Sequence, residues 1–172
     1  MTSTTLCAFM IRQLEHRYRV LERSLTVGMT QELLWKRLGD RPPIGWHACH
    51  LADAVASTAE AVALGPDTVV LSEELRNGAR RRPAGAPDNA ISYSPLELDT
   101  LVAEWNRLSS MLLTGLKSLT DGELEKPPMV EVHEAFQSTL TSRMVFLEGH
   151  LFHVSYHLGA VGLLRAEWRL QP

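Results

Sequence analysis

Long hydrophobic runs are missing from this sequence of 172 residues. A helix that crosses a bilayer needs roughly 18 or more consecutive apolar residues, and no stretch approaches that length. The N-terminal residues Met1–Cys7 also lack the basic start and the apolar segment of a secretory signal. We therefore expect a cytoplasmic protein without a membrane segment.

The sequence also has few cysteines and no excess of positive charge. Cys7 and Cys49 are the two cysteines, far apart and without Cys-x-x-Cys spacing, so a disulfide framework is not indicated. The formal net charge is -3, whereas nucleic-acid binding requires a positive surface. The basic run Arg80–Arg82 lies among Gly, Pro and Ala and is typical of a solvated loop. We expect no nucleic-acid partner.

What the sequence does contain is ordinary globular composition, with 45% hydrophobic and 22% charged residues. Its length suits one domain covering residues 1–172. Apolar residues recur with helical spacing in four long segments, while residues 30–35 favour one further short helical turn. The predicted long helices are approximately Leu6–Val27, Pro43–Leu64, Pro95–Leu119 and Ser138–Trp168.

The connection between the second and third long helices is the longest in the chain. Residues 65–94 are rich in Pro and Gly and show no sustained periodicity. Antiparallel neighbours need only a short turn, whereas a connection of this length can return along a bundle and start the next helix in parallel. The sequence therefore predicts an all-α four-helix bundle with a long crossover between helices two and three. A short extended piece is expected near residues 129–133.

Histidines fall in two groups on the apolar faces of predicted helices. His150, His153 and His157 follow steps of three and four residues and lie on one line of the last helix, facing inward. His47 and His50 share a side of the second helix. Buried neutral imidazoles need partners, and a metal ion could hold two or three of them. A plain bundle whose histidines hydrogen-bond to one another is the alternative.

The order of these pieces resembles the DinB superfamily of YfiT-like metal-dependent proteins. The likeness covers nearly the whole chain and is carried by four segments: residues 25–35, 44–53 with His47 and His50, 119–124, and His153-Val154-Ser155-Tyr156-His157-Leu158-Gly159. The resemblance implies an up-down-down-up bundle and a metal triad of His50, His153 and His157, with nickel or zinc as the ion. His47 and His150 then become neighbours of the site rather than ligands.

The resemblance also implies an activity. Relatives include S-transferases and isomerases that use low-molecular-weight thiols such as bacillithiol or mycothiol, so we expect a transferase whose metal-bound thiol attacks a small-molecule electrophile. His150 or His47 could act as a general base, and the sequence does not choose between them. Many relatives have Gln after the motif's Gly, where this chain has Ala160. The alternatives are a metal-dependent hydrolase, or a non-catalytic metal-binding or ligand-binding stress-related protein. A homodimer is a further expectation.

Overall fold

The computed structural model describes residues 5–80 and 96–169, and these residues form helices joined by turns. A 3-10 turn, Glu134–Phe136, precedes the last helix. The α-helices are α1 (Leu6–Thr26), α2 (Gln31–Trp35), α3 (Ile44–Ala59), α4 (Glu73–Gly78), α5 (Leu98–Lys117), α6 (Asp121–Leu124) and α7 (Arg143–Arg169). A π-helical turn, Glu60–Leu64, continues α3.

The apolar stripe of α1 shows how sequence spacing produces the core. Every third or fourth residue is buried, and the set consists of Cys7, Met10, Leu14, Tyr18, Leu21 and Leu25. The start of the helix is held by Thr5, whose hydroxyl accepts the Ala8 N–H, and by Asp121, whose carboxylate accepts the N–H groups of Leu6 and Cys7 at 2.9 Å each. Helix α1 is therefore fixed at its N-terminus by a residue of distant α6.

The four long helices contact one another in a ring. Helix α3 packs against α5 and α7, and α1 also packs against α5 and α7. Small residues allow close approach in this core: a Cβ added to Gly115 of α5 would lie 2.7 Å from the Cβ of Ala63. The first half of α3 and the middle of α7 carry the histidines that meet across the bundle.

Polar pairs link α7 to its two neighbours. Arg17 Nε of α1 donates to Ser155 Oγ at 2.8 Å, and Arg165 donates to the carbonyls of Ser24 and Val27 beyond it. On the other side of α7, α3 contributes histidines that meet histidines of α7. These contacts place the last helix between α1 and α3.

Several element boundaries differ from the sequence prediction. Helix α7 begins at Arg143, later than the predicted start near Ser138, because residues 137–139 still form a turn after the 3-10 turn. Ser142 then caps the new helix by accepting the Val145 N–H. Residues 129–133, where the sequence pattern allowed a short extended piece, form no β-strand in the structure. Within the predicted connection, residues 73–78 form α4, and part of that connection, with Arg81 and Arg82, lies outside the described residues.

None of the helices in the described parts of the chain is both long enough and apolar enough to span a membrane.

Candidate metal centre

Five histidines project from the facing surfaces of two helices. His47 and His50 lie on α3, and His150, His153 and His157 lie on α7. Spacings of three and four residues put each group on one helical face, and the packing of α3 against α7 brings the faces together. Residues more than 100 positions apart in the chain therefore meet at one site.

Three of these side chains converge through their ring nitrogens. His153 Nε2 lies 3.0 Å from His50 Nε2 and 2.9 Å from His157 Nε2. One ring nitrogen of each residue lies within 4.8 Å of the other two. His157 is buried, while His153 is partly exposed, so the cluster lies at the edge of the core rather than at its centre. The structure thus brings together the three residues predicted as the triad.

The chemistry of this donor set fits a divalent ion. Zinc–nitrogen bonds are about 2.0–2.1 Å long, which puts the nitrogens of two ligands in a tetrahedral site about 3.3 Å apart. The observed separations of 2.9 and 3.0 Å need only a small opening to reach that value. In addition, His153 Nε2 carries either one proton or one lone pair, so it cannot form linear hydrogen bonds to two other imidazole nitrogens at once. A metal ion accepts one lone pair from each ring and removes that conflict.

His47 contacts the cluster from behind. Its Nδ1 lies 2.7 Å from His157 Nδ1. If His157 presents the lone pair of Nε2 to an ion, its proton resides on Nδ1, which then donates to His47. That arrangement requires a neutral His47, and burial lowers the pKa of His47 to about 4. His47 is therefore suited to orient a metal ligand rather than to bind the ion itself.

Two aromatic rings hold the imidazoles of the cluster in place. The Trp46 indole stacks on His50 at 5.0 Å between centroids, and its Nε1 donates to the Arg80 carbonyl at 3.0 Å. Tyr156 meets the edge of His157 at 5.2 Å and is 67% exposed. Sequence analysis did not single out either aromatic residue for the site. Their position one residue before a histidine is the signal that could have indicated them.

His150, on the same helical line, has a different partner. Its Nε2 lies 2.8 Å from the Tyr18 hydroxyl of α1. Both residues are buried, and burial lowers the pKa of His150 to about 3. His150 is therefore neutral near pH 7 and bound to α1.

The remaining candidates lie apart from the cluster. His16 is exposed on α1, and His133 is an exposed loop residue, as predicted, whose Nδ1 accepts the Ala135 N–H. Cys49 is fully buried, and burial raises the pKa of its thiol to about 12, so it stays protonated. Asp53 is partly buried, which raises the pKa of its carboxyl, while the charge of Arg76 acts in the opposite direction.

A cavity of about 790 Å³ adjoins the cluster. His150 and His153 form part of its wall, together with residues of α3 and of the segment that precedes α7. A molecule in this cavity would lie beside His153, one of the three convergent imidazoles.

Fold and site together define a class: a helical protein with three convergent imidazoles that could hold a metal ion. Comparison with known families agrees, because the profile of the DinB superfamily matches residues 12–159. The chain belongs to the DinB superfamily, which confirms the resemblance noted in its motifs. A search of curated proteins finds no match.

Proposed function

We propose that His50, His153 and His157 bind one divalent ion, nickel or zinc, and that the protein transfers a low-molecular-weight thiol to a small electrophile. The convergence of three imidazole nitrogens from two helices carries the proposal. Membership of the DinB superfamily and the adjoining cavity support it. The bound ion would lower the pKa of a coordinating thiol and so supply thiolate near neutral pH.

The protein's own residues would prepare that chemistry. His47 keeps the Nε2 lone pair of His157 directed at the ion, and Trp46 restrains the plane of His50. The largely apolar cavity beside His153 would hold the electrophile close to the thiolate sulfur. There the thiolate sulfur would form a bond to carbon as the bond to the leaving group breaks. The leaving group would depart as an anion through the open side of the cavity, and the thiol proton would pass to solvent. His47 and His150 are engaged with His157 and Tyr18, so we assign neither as a general base.

The test combines elemental analysis with a conjugation assay on untagged protein. We expect about one nickel or zinc ion per chain and conjugation of bacillithiol, mycothiol or glutathione to 1-chloro-2,4-dinitrobenzene above the rate without protein. His157→Ala should lose both ion and activity, whereas the control His16→Ala, at an exposed position of α1 away from the cavity, should keep both. A metal-loaded protein that forms no conjugate with any of the three thiols refutes the transferase proposal. Turnover without thiol would favour a hydrolase instead.

We also propose that the long helices of this single domain run up-down-down-up. Helices α1 and α7 run parallel, because a later residue of α1 contacts a later residue of α7: Arg17 contacts Ser155, and Ser24 contacts Arg165. Helices α3 and α7 run antiparallel, since the earlier His47 of α3 contacts the later His157 of α7 and His50 contacts His153. Helix α5 meets α1 in reverse order, with Asp121, just after its end, at the start of α1 and Trp105 beside Tyr18. Pulsed electron spin distances between labels at the ends of the long helices test this order.

A further inference from the structure

The cavity beside the histidine cluster has an apolar wall that is partly open to solvent. Ala54 of α3 and Leu140, Phe146 and Gly149 around the start of α7 line it, and Phe136 closes one side. The Phe136 ring is 56% exposed. A half-exposed phenyl ring over a large apolar cavity gains favourable burial when an apolar molecule enters.

The charged groups of the cavity exclude one class of ligand. Among its described lining residues the charged side chains are Glu60 and Glu131, with neither lysine nor arginine. Glu60 is held in place because its carboxylate accepts the Val69 N–H at 3.0 Å. Without an ion these two carboxylates repel phosphate or carboxylate groups, and with a divalent ion bound at His153 their charges offset that of the ion. The lining therefore favours an uncharged molecule.

His150 supplies a polar group to the cavity wall, and its other partner decides which ring nitrogen carries the proton. The Tyr18 hydroxyl has His150 Nε2 as its hydrogen-bond partner within residues 5–80 and 96–169, and Tyr18 is buried. A buried hydroxyl proton without an acceptor is costly, so Tyr18 O–H donates to Nε2. The ring proton of neutral His150 is then on Nδ1, which has no hydrogen-bond partner in the described part of the chain. Because His150 lines the cavity, Nδ1–H is its donor for a bound molecule.

We propose that this cavity binds a compact, uncharged, mainly apolar molecule, and that His150 Nδ1–H donates a hydrogen bond to an acceptor atom of that molecule, such as a carbonyl oxygen. Tyr18 is the positioning residue that sets the tautomer. The inference rests on the proposed function in one respect, because the molecule would be the electrophile of the transfer reaction. Low-molecular-weight thiols such as glutathione carry carboxylates, so the cavity suits the electrophile rather than the thiol.

The first arm of the test blocks the cavity. Gly149 lines the cavity, and a Cβ added there would contact only Leu140, at an ordinary 3.8 Å, so we expect the side chain of Gly149→Leu to occupy cavity space. Gly162→Leu is the matched control, since it lies on the same helix and its Cβ would meet nothing within 4 Å. Butyrophenone is the probe, and calorimetry measures its dissociation constant. We expect Gly149→Leu to weaken binding at least tenfold and Gly162→Leu to leave it unchanged. Equal binding by both variants overturns the assignment of the cavity.

The second arm tests the donor. Variants are compared in a Tyr18→Phe background, so that no buried hydroxyl is left without an acceptor. His150→Asn keeps an N–H near the position of Nδ1, and His150→Leu removes it. The readout is the ratio of dissociation constants for butyrophenone and for butylbenzene, which lacks the oxygen. We expect this ratio to rise about tenfold in the Leu variant and to stay near the background value in the Asn variant. A ratio that is the same in both variants contradicts the role of His150.

A third comparison separates this inference from the metal proposal. His157 is not among the residues lining the cavity, so His157→Ala should lose the ion and still bind butyrophenone within about twofold. Retained probe binding in a protein that proves unable to transfer thiols would refute the transferase and leave the cavity assignment standing. Loss of the Gly149→Leu effect in a metal-loaded, active protein would refute the cavity assignment alone.

Discussion

Two buried neutral histidines make the fold sensitive to mild acid. Burial lowers the pKa of His150 to about 3 and that of His47 to about 4, both from an ordinary value of 6.5. Below pH 6.5 the unfolded chain therefore binds protons that the folded protein does not. The free energy of unfolding is at its full value above pH 6.5 and falls as the pH decreases toward the folded pKa values.

The size of this effect follows from the shifts. One pKa unit corresponds to about 1.4 kcal/mol, so at pH 5 each histidine lowers the free energy of unfolding by about 2 kcal/mol relative to pH 8. Together the two histidines should lower the free energy of unfolding by about 4 kcal/mol between pH 8 and pH 5, which is a large part of the typical value of about 5–15 kcal/mol. The assay is urea denaturation at pH 5, 6, 7 and 8 in the presence of a chelator, so that metal binding does not contribute.

A double variant isolates the contribution of His150. Tyr18→Phe with His150→Leu replaces a buried hydrogen-bonded pair by apolar side chains and should reduce the loss of stability between pH 8 and pH 5 by about 2 kcal/mol. His16→Leu, which removes an exposed imidazole of α1, is the control and should keep the wild-type pH dependence. If the double variant and the wild type lose the same stability over this range, His150 is not buried as a neutral base and the reasoning fails.

Three further results are expected. Gly115→Ala should cost about 1–3 kcal/mol in urea denaturation because its Cβ would lie 2.7 Å from that of Ala63, whereas Gly122→Ala meets nothing within 4 Å and should change stability little. Asp121→Asn should lower the thermal midpoint, and the gap to wild type should narrow in acid, because backbone N–H bonds hold the pKa of Asp121 below its usual value. Adding a chelator should lower the thermal midpoint of the metal-loaded wild type and leave that of His157→Ala unchanged. If free metal is at 100 times its dissociation constant, the loss in free energy of unfolding is about 2.7 kcal/mol.

Much of the fold could be predicted because the sequence repeats its apolar residues with helical spacing. The stripe of α1 and that of α5 appear directly in the sequence, and the structure confirms an all-helical arrangement in the residues it describes. The start of α7 was placed too early because apolar spacing continues before it. Local capping by Ser142 and a bond from the Arg143 N–H to the Lys126 carbonyl decide where the helix begins. Such a long-range contact leaves no periodic signal.

The site was predictable only in part. Spacing placed His150, His153 and His157 on one line of the helix but could not show which of them are metal ligands. The choice of His153 and His157 therefore came from the family resemblance. The structure separates them by a tertiary partner, because Tyr18 of α1 contacts His150 while His50 of α3 meets His153. That His50, His153 and His157 bind a metal stays a prediction.

A cobalt titration tests the metal proposal most directly. Co²⁺ held by three imidazoles at a tetrahedral site absorbs visible light strongly, so its binding to metal-free protein can be followed and counted. We predict saturation at one Co²⁺ per chain, loss of the absorption in His50→Ala, His153→Ala and His157→Ala, and its retention in His133→Ala. Absence of a stoichiometric endpoint, or an unchanged spectrum in any of the three cluster variants, would contradict a site built from these three residues.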